Sequence, residues 1–135
     1  MSKIIALDLG DKWIGIAISD KECFFAKPYK TIEIEKLDNF IEDILQKEDI
    51  KKIVIGYPKT LSGNESQQTI KVINTKKQLE SKFINIEFIL WDERLSSKRS
   101  EQLKPAKNKS EKLYSHAIAA AYILDSYLSF LISKI

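Results

Sequence analysis

Apolar residues recur along this chain at two periods, and the change between them divides it. Lys3–Leu9 is a short β-branched and apolar run that ends in Asp8-Leu9-Gly10, and Trp13–Ser19 is a second such run. Residues 23–32 form a third, in which Pro28 predicts an edge strand or a bulge because proline donates nothing to a ladder. Gly10-Asp11-Lys12 and Asp20-Lys21-Glu22 are turn-like, so the three runs predict an antiparallel meander. The period then lengthens. Leu37, Phe40, Ile41, Ile44 and Leu45 recur at i, i+3, i+4, i+7 and i+8, one apolar stripe on a helix. Residues 51–56 carry Ile53-Val54-Ile55, the signature of a buried strand, and 58–64 read as a loop. Residues 65–83 predict a weaker helix with Thr69, Val72, Ile73 and Phe83 towards one side, and 84–91 a strand. Residues 96–109 are polar and interrupted by Pro105. From Ser110 a long stripe follows: Leu113, His116, Ala117, Ala120, Leu124, Tyr127, Leu128 and Leu131.

The order is therefore β-β-β-α-β-α-β-α. Strand, helix and strand at this spacing imply parallel pairing. The expectation is an α/β protein with a mixed five-stranded sheet, three antiparallel strands then parallel ones, and helices packed on it. Asp8 should lie on a central strand with the last helix near it.

Composition narrows the class. A length of 135 residues suits one hydrophobic core, so 1–135 is expected to be a single domain. No stretch of about 18 apolar residues is read in the sequence, so no membrane span is expected. Met1-Ser2-Lys3 runs straight into Ile4 and Ile5 without a secretion-signal pattern. Cys23 is the only cysteine, which excludes an internal disulfide and a cysteine-based zinc site and points to the cytoplasm. The net charge of +3 says little alone. Its distribution says more: residues 94–115 hold Arg94, Lys98, Arg99, Lys104, Lys107, Lys109 and Lys112 against Glu101 and Glu111, a net of +5. Such a segment either faces phosphates or is a solvated lysine-rich loop and helix face.

Four places carry candidate chemistry. Asp8 interrupts an apolar strand, and a carboxylate there must cap, pair or hold a cation, because burying it alone is costly. A strand-end Asx-turn is the plain alternative. Gly10 and Gly15 leave bare backbone on either side of the turn, open to close approach by a ligand. Asp92-Glu93-Arg94 follows directly on the strand ending at Trp91. Ligand sites gather at the carboxyl ends of parallel strands, so Asp8 and the 92–93 acids are placed to converge as hard oxygen ligands for Mg²⁺ or Mn²⁺. The alternative is a surface Glu93–Arg94 ion pair worth little. Gly63, Asn64 and Ser66 offer amides or hydroxyls to a phosphate, or simply cap a helix. His116, the only histidine, is either a ligand or a hydrogen-bonded core residue on the apolar stripe.

Taken together, these segments resemble the YqgF-type family of Holliday-junction resolvases, also described as ribosomal RNA precursor nucleases. The first motif is similar to Asp8-Leu9-Gly10-Asp11-Lys12-Trp13-Ile14-Gly15-Ile16-Ala17, with Ser19-Asp20 and Ala26-Lys27-Pro28 following. The second resembles Val54-Ile55-Gly56-Tyr57-Pro58 through Gly63-Asn64-Glu65-Ser66. The third resembles Asp92-Glu93-Arg94-Leu95-Ser96-Ser97. The last helix resembles Ala119-Ala120-Ala121-Tyr122-Ile123-Leu124 through Tyr127-Leu128. The resemblance implies a ribonuclease H-like fold and an acidic metal site, with the family's roles falling on Asp8 and Glu93. Three departures stand out. Trp13 occupies the usual place of an arginine, the stretch between Ser97 and Lys109 is short, and His116 stands where the family has its last aspartate. Histidine is still an acceptable ligand, better suited to Mn²⁺ than to Mg²⁺.

The resulting expectation is a metal-dependent nuclease acting on precursor ribosomal RNA or branched DNA, with Asp8, Glu93 and His116 as ligands. Lys12, Arg94, Lys98, Arg99, Lys104, Lys107 and Lys109 would hold phosphates without reading bases. The expected assembly is a monomer or weak homodimer, with a ribosome precursor as a further partner. A catalytically weakened nucleic-acid-binding or ribosome-assembly module is the first alternative. A small-molecule phosphotransferase is the second, since Asp8-Leu9-Gly10 through Gly15 also looks like an actin-like kinase phosphate loop. That fold needs two such domains to enclose a nucleotide.

Overall fold

The computed structural model describes residues 2–57, 67–92 and 109–133. Strands β1 (Lys3–Leu9), β2 (Trp13–Ser19) and β3 (Ala26–Glu33) are followed by a single 3₁₀ turn (Ile34–Lys36) and helix α1 (Leu37–Lys47). Then come β4 (Ile50–Gly56), α2 (Gln67–Lys82), β5 (Glu87–Trp91) and α3 (Lys109–Ser133). The strands form one sheet in the order β3-β2-β1-β4-β5. The β1–β2 and β2–β3 pairs are antiparallel, whereas β1–β4 and β4–β5 are parallel. This is the expected mixed sheet, with β1 at its centre.

Alternation along the strands makes two cores. Ile5, Leu7, Leu9, Ile14, Ile16, Ile18, Ile53 and Ile55 face α1 and α2, meeting Leu37, Ile41, Ile44, Val72 and Leu79. The stripe read from the sequence of α1 is thus the buried one. The other sheet face is different in kind. Ile4, Ala6, Ala17 and Val54 meet Ala120, Ala121, Ile123, Leu124, Tyr127 and Leu128 of α3. Small residues on both sides let α3 approach the sheet closely. Ser19, also on this face, is 1% exposed, and its hydroxyl accepts the Ile4 N–H at 2.8 Å.

Some boundaries differ from the sequence reading, each for a local reason. The third strand begins at Ala26, not at 23, because the intervening residues are used by a turn. Asp20 Oδ1 accepts the N–H groups of Phe24 and Phe25, and Cys23 adopts a left-handed φ of 61°. Pro28 does lie on the edge strand, beside the register shift between Ile16 and Ala17. The last strand begins at Glu87, and Ile84 is 81% exposed in the preceding turn. Ser115–Ser133 in α3 has a mean hydropathy of 1.3 and is long enough to cross a bilayer. This differs from the expectation of no such stretch, because serine, tyrosine and Asp125 interrupt the run without removing its apolar average. The sheet receives its stripe here, as in a core helix. The loop expected at 58–64 lies outside the described residues.

Candidate active site at the carboxyl edge of the sheet

Asp8 ends the α3-facing row of β1, after Ile4 and Ala6. Its partner across the antiparallel ladder is Gly15. A Cβ placed on Gly15 would lie 1.9 Å from the carbonyl oxygen of His116 and 3.0 Å from the Ala117 nitrogen. The space beside Asp8 is therefore filled by the backbone of α3. The bare backbone at Gly15 thus admits a helix and not a ligand, which corrects the reading of that glycine. The helix brings His116 with it. The imidazole Cε1 comes within 4.0 Å of where a Gly10 Cβ would be, so the ring lies over the β1–β2 turn. Gly10 itself is required by that turn: its N–H donates to the Trp13 carbonyl at 2.9 Å, and a Cβ would meet the same oxygen at 2.8 Å.

Electrostatics single out the same pair. Burial pushes the Asp8 carboxyl above the ordinary carboxylate range, and the charge of His116 pulls it partly back. Among the described residues no hydrogen bond to the Asp8 carboxyl is found, so this is not an Asx-turn. A desolvated carboxylate facing one imidazole suits a divalent cation, which would supply the missing charge compensation. Among the described residues no cluster of three or more His, Cys, Asp or Glu side chains exists.

The remaining candidates divide by position. Trp91 faces α3, as Asp8 does, and its Nε1 donates to Ser126 Oγ at 3.0 Å, tying the end of β5 to the helix. Asp92 follows, half-buried. Glu93, two residues beyond Trp91 in the sequence, lies outside the described residues, as do Gly63, Asn64, Ser66, Arg94, Lys98, Arg99, Lys104 and Lys107. Lys12 is exposed in the β1–β2 turn. Lys109 opens α3 and is described by its backbone alone. One residue escaped the sequence reading. Lys71 of α2 donates from Nζ to the Gly10 carbonyl at 2.8 Å, clamping the turn from the opposite sheet face. A lysine on a weakly patterned helix carries no signal of such a reach.

The family model for the Holliday junction resolvase RuvX matches residues 2–130. The chain belongs to the RuvX family. This is the family to which the four motifs pointed, and it is a family of nucleases. A relative from Malacoplasma penetrans is 40% identical over 134 residues, covering 95% of this chain and 94% of that protein. Another from Caldicellulosiruptor bescii is 35% identical over 133 residues, covering 95% and 96%. Both bear the name "Putative pre-16S rRNA nuclease". Among solved structures, Thermus thermophilus RuvC in complex with a Holliday junction substrate aligns with a TM-score of 0.61 at 10% identity. The alignment covers 98% of this chain and 96% of that one. The fold of this RuvX-family chain is accordingly ribonuclease H-like.

Proposed function

We propose that this protein is a divalent-metal-dependent nuclease whose metal is held by Asp8, His116 and Glu93. Its substrate is a structured nucleic acid, either the precursor of 16S ribosomal RNA or a branched DNA. The observation that carries the reading is the Asp8–His116 pair, a desolvated carboxyl and an imidazole brought together at the carboxyl edge of the central strand. The names of the relatives support the RNA substrate, and the RuvC complex supports a junction.

When bound, the metal supplies Lewis-acid stabilisation of the phosphate and activation of the attacking water. The chain's own residues set the geometry. Asp8 is held on a rigid central strand, and α3 fixes His116 by backbone contact at Gly15. Lys71 and the Gly10–Trp13 hydrogen bond hold the turn between them. Lys12 and the basic segment at 94–109 hold substrate phosphates.

Two tests follow. His116→Ala is expected to lower Mn²⁺ affinity by about 10–100-fold, read by calorimetric titration, with little loss of melting temperature. His116→Asp should melt below wild type without metal, since two carboxylates then share one site, and regain stability with Mg²⁺. An Ala variant with unchanged Mn²⁺ affinity, beside an Asp variant that Mg²⁺ does not rescue, sinks the ligand role. The decisive assay is Mg²⁺- or Mn²⁺-supported cleavage of a branched DNA and of precursor 16S RNA, and uncut substrates throughout would leave only a binding module.

A further test concerns charge. Replacing Lys12, Lys104, Lys107 and Lys109 with Gln should weaken substrate binding and reduce its salt dependence by roughly one unit of slope per lost contact. Unchanged binding across a salt titration would return these lysines to the solvated surface.

A further inference from the structure

The turn joining β2 to β3 is built more firmly than a connection requires. Asp20 Oδ1 accepts the N–H groups of Phe24 at 2.9 Å and Phe25 at 2.8 Å. These bonds hold its carboxyl below the ordinary carboxylate range, with the Phe25 N–H the largest cause. Cys23 N–H donates to the Asp20 carbonyl, and the Cys23 thiol donates to the Ser2 carbonyl at 3.3 Å. Buried Ser19 donates to the Asp20 carbonyl at 3.0 Å. Cys23 holds the left-handed φ that the turn demands, a conformation a non-glycine residue adopts only when its surroundings impose it.

What this rigid turn presents is two phenylalanines to solvent. Phe24 is 55% exposed and Phe25 is 74% exposed. Along the edge strand that follows, exposed Lys27 and Tyr29 alternate with half-buried Ala26 and Pro28. Phe25 borders a surface depression of about 370 Å³ together with Lys3, Lys21 and Lys27 and the acids Asp20 and Glu22. Lys3 is paired with Glu48 at 2.9 Å, which leaves Lys21 and Lys27 as its outward cations. From 20 to 30 there are three lysines and two acids, Asp20 and Glu22, and the Asp20 carboxylate is turned to the Phe24 and Phe25 amides. Exposed aromatic rings on a fixed backbone, interleaved with cations, match what unpaired nucleotides require. Rings receive base faces of any identity, and lysines receive the phosphates between them. The alternative occupant, a second copy pairing through β3, is opposed by the lysines and Pro28 on that edge.

We propose that the β2–β3 turn and the start of β3 form a stacking platform for an unpaired segment of the nucleic-acid substrate. This rests on the nuclease reading above and adds a substrate feature to it. The platform lies at the opposite end of β2 from Gly15, at least about 13 Å along the strand from the Asp8–Gly15 pair at 3.3 Å per residue. A substrate cut at Asp8 therefore carries its single-stranded extension across the sheet edge to Phe24 and Phe25.

The test is fluorescence anisotropy of a labelled oligouridine with the full chain, in a chelator that prevents cleavage. The Phe24→Ala/Phe25→Ala variant should bind on the order of tenfold more weakly or worse. Phe25→Tyr should bind as wild type, and Phe25→Leu as weakly as Phe25→Ala, because stacking needs the ring and not mere apolar area. Binding of an RNA duplex should not change. Both rings are exposed, so melting temperatures should match wild type and exclude unfolding as the cause. Equal oligouridine affinity in the double variant, or full affinity in Phe25→Leu, overturns the platform. So does a dimer seen by sedimentation that the double variant loses, which would assign this face to a second copy. Cleavage by wild type with oligouridine binding unaffected in the variants refutes the platform alone. Ring-dependent binding without cleavage of any substrate refutes the nuclease reading alone.

Discussion

Gly15→Ala is expected to melt about 10 °C below wild type and to lose most of its metal affinity. In an ordinary strand position the same change is neutral or helpful. It reduces the freedom of the unfolded chain, a gain of about 0.4–1 kcal/mol. Here the new methyl would sit 1.9 Å from the His116 carbonyl oxygen, where about 3.3 Å is the closest comfortable approach of carbon to oxygen. The obstacle is backbone and not the far end of a flexible side chain, so α3 must retreat by more than an ångström. Overpacking of this kind costs roughly 3 kcal/mol, which exceeds the entropic gain several-fold and corresponds to about 10 °C for a domain this size. The retreat would also carry His116 away from Asp8. Thermal melting beside a Mn²⁺ titration checks both parts. A Gly15→Ala protein melting within 2 °C of wild type would show that α3 does not rest on this strand as described.

Asp8→Asn should abolish cleavage and yet raise the stability of the metal-free protein. The loss of activity is expected to be on the order of 10³-fold or more, as for other removals of a central catalytic group. The gain in stability follows from linkage. Burial raises the native pKa of Asp8 above its unfolded value near 3.8. Between those two values the native state holds more protons than the unfolded chain, so stability falls as pH rises through that window. At neutral pH the wild type bears a desolvation penalty at the half-buried Asp8, offset in part by the charge of His116, and the asparagine does not. The melting temperatures of wild type and variant should therefore coincide at low pH and separate, with the variant higher, as pH rises. Added Mn²⁺ should reverse their order, because only the aspartate gains from the cation. A variant that is less stable than wild type at neutral pH without metal would mean that Asp8 is satisfied by a partner.

The two periods of the sequence were enough to place the strands and helices. Lys3–Leu9 and Trp13–Ser19 agree with the structure residue for residue, because their boundaries coincide with turn residues whose chemistry is local. The α1 stripe was legible for the same reason: helix geometry maps i, i+3, i+4 spacing directly onto one face. Where local signals are weak the reading slipped, as at 23–25. Those apolar residues look like strand until the Asp20 side chain, five residues upstream of Phe25, takes up their backbone donors. Asp8 stood out alone because a carboxylate in an apolar strand is an anomaly at any distance from other motifs.

The pairing of Asp8 with His116 belongs to the tertiary structure. The two are 108 positions apart, and nothing in the periodicity of either element states their proximity. It arises because Gly15 stands opposite Asp8 in the ladder and has no side chain to hold α3 away. The same holds for Lys71 at the Gly10 carbonyl and for Trp91 at Ser126, contacts made by side chains whose reach is decided by the packing of separate elements. The sequence by itself determined which segments are strand and helix, which faces are apolar, and that Asp8 is out of place among them. Only the three-dimensional arrangement decided what Asp8 faces, because burial and neighbouring charge depend on close approach between distant parts of the chain.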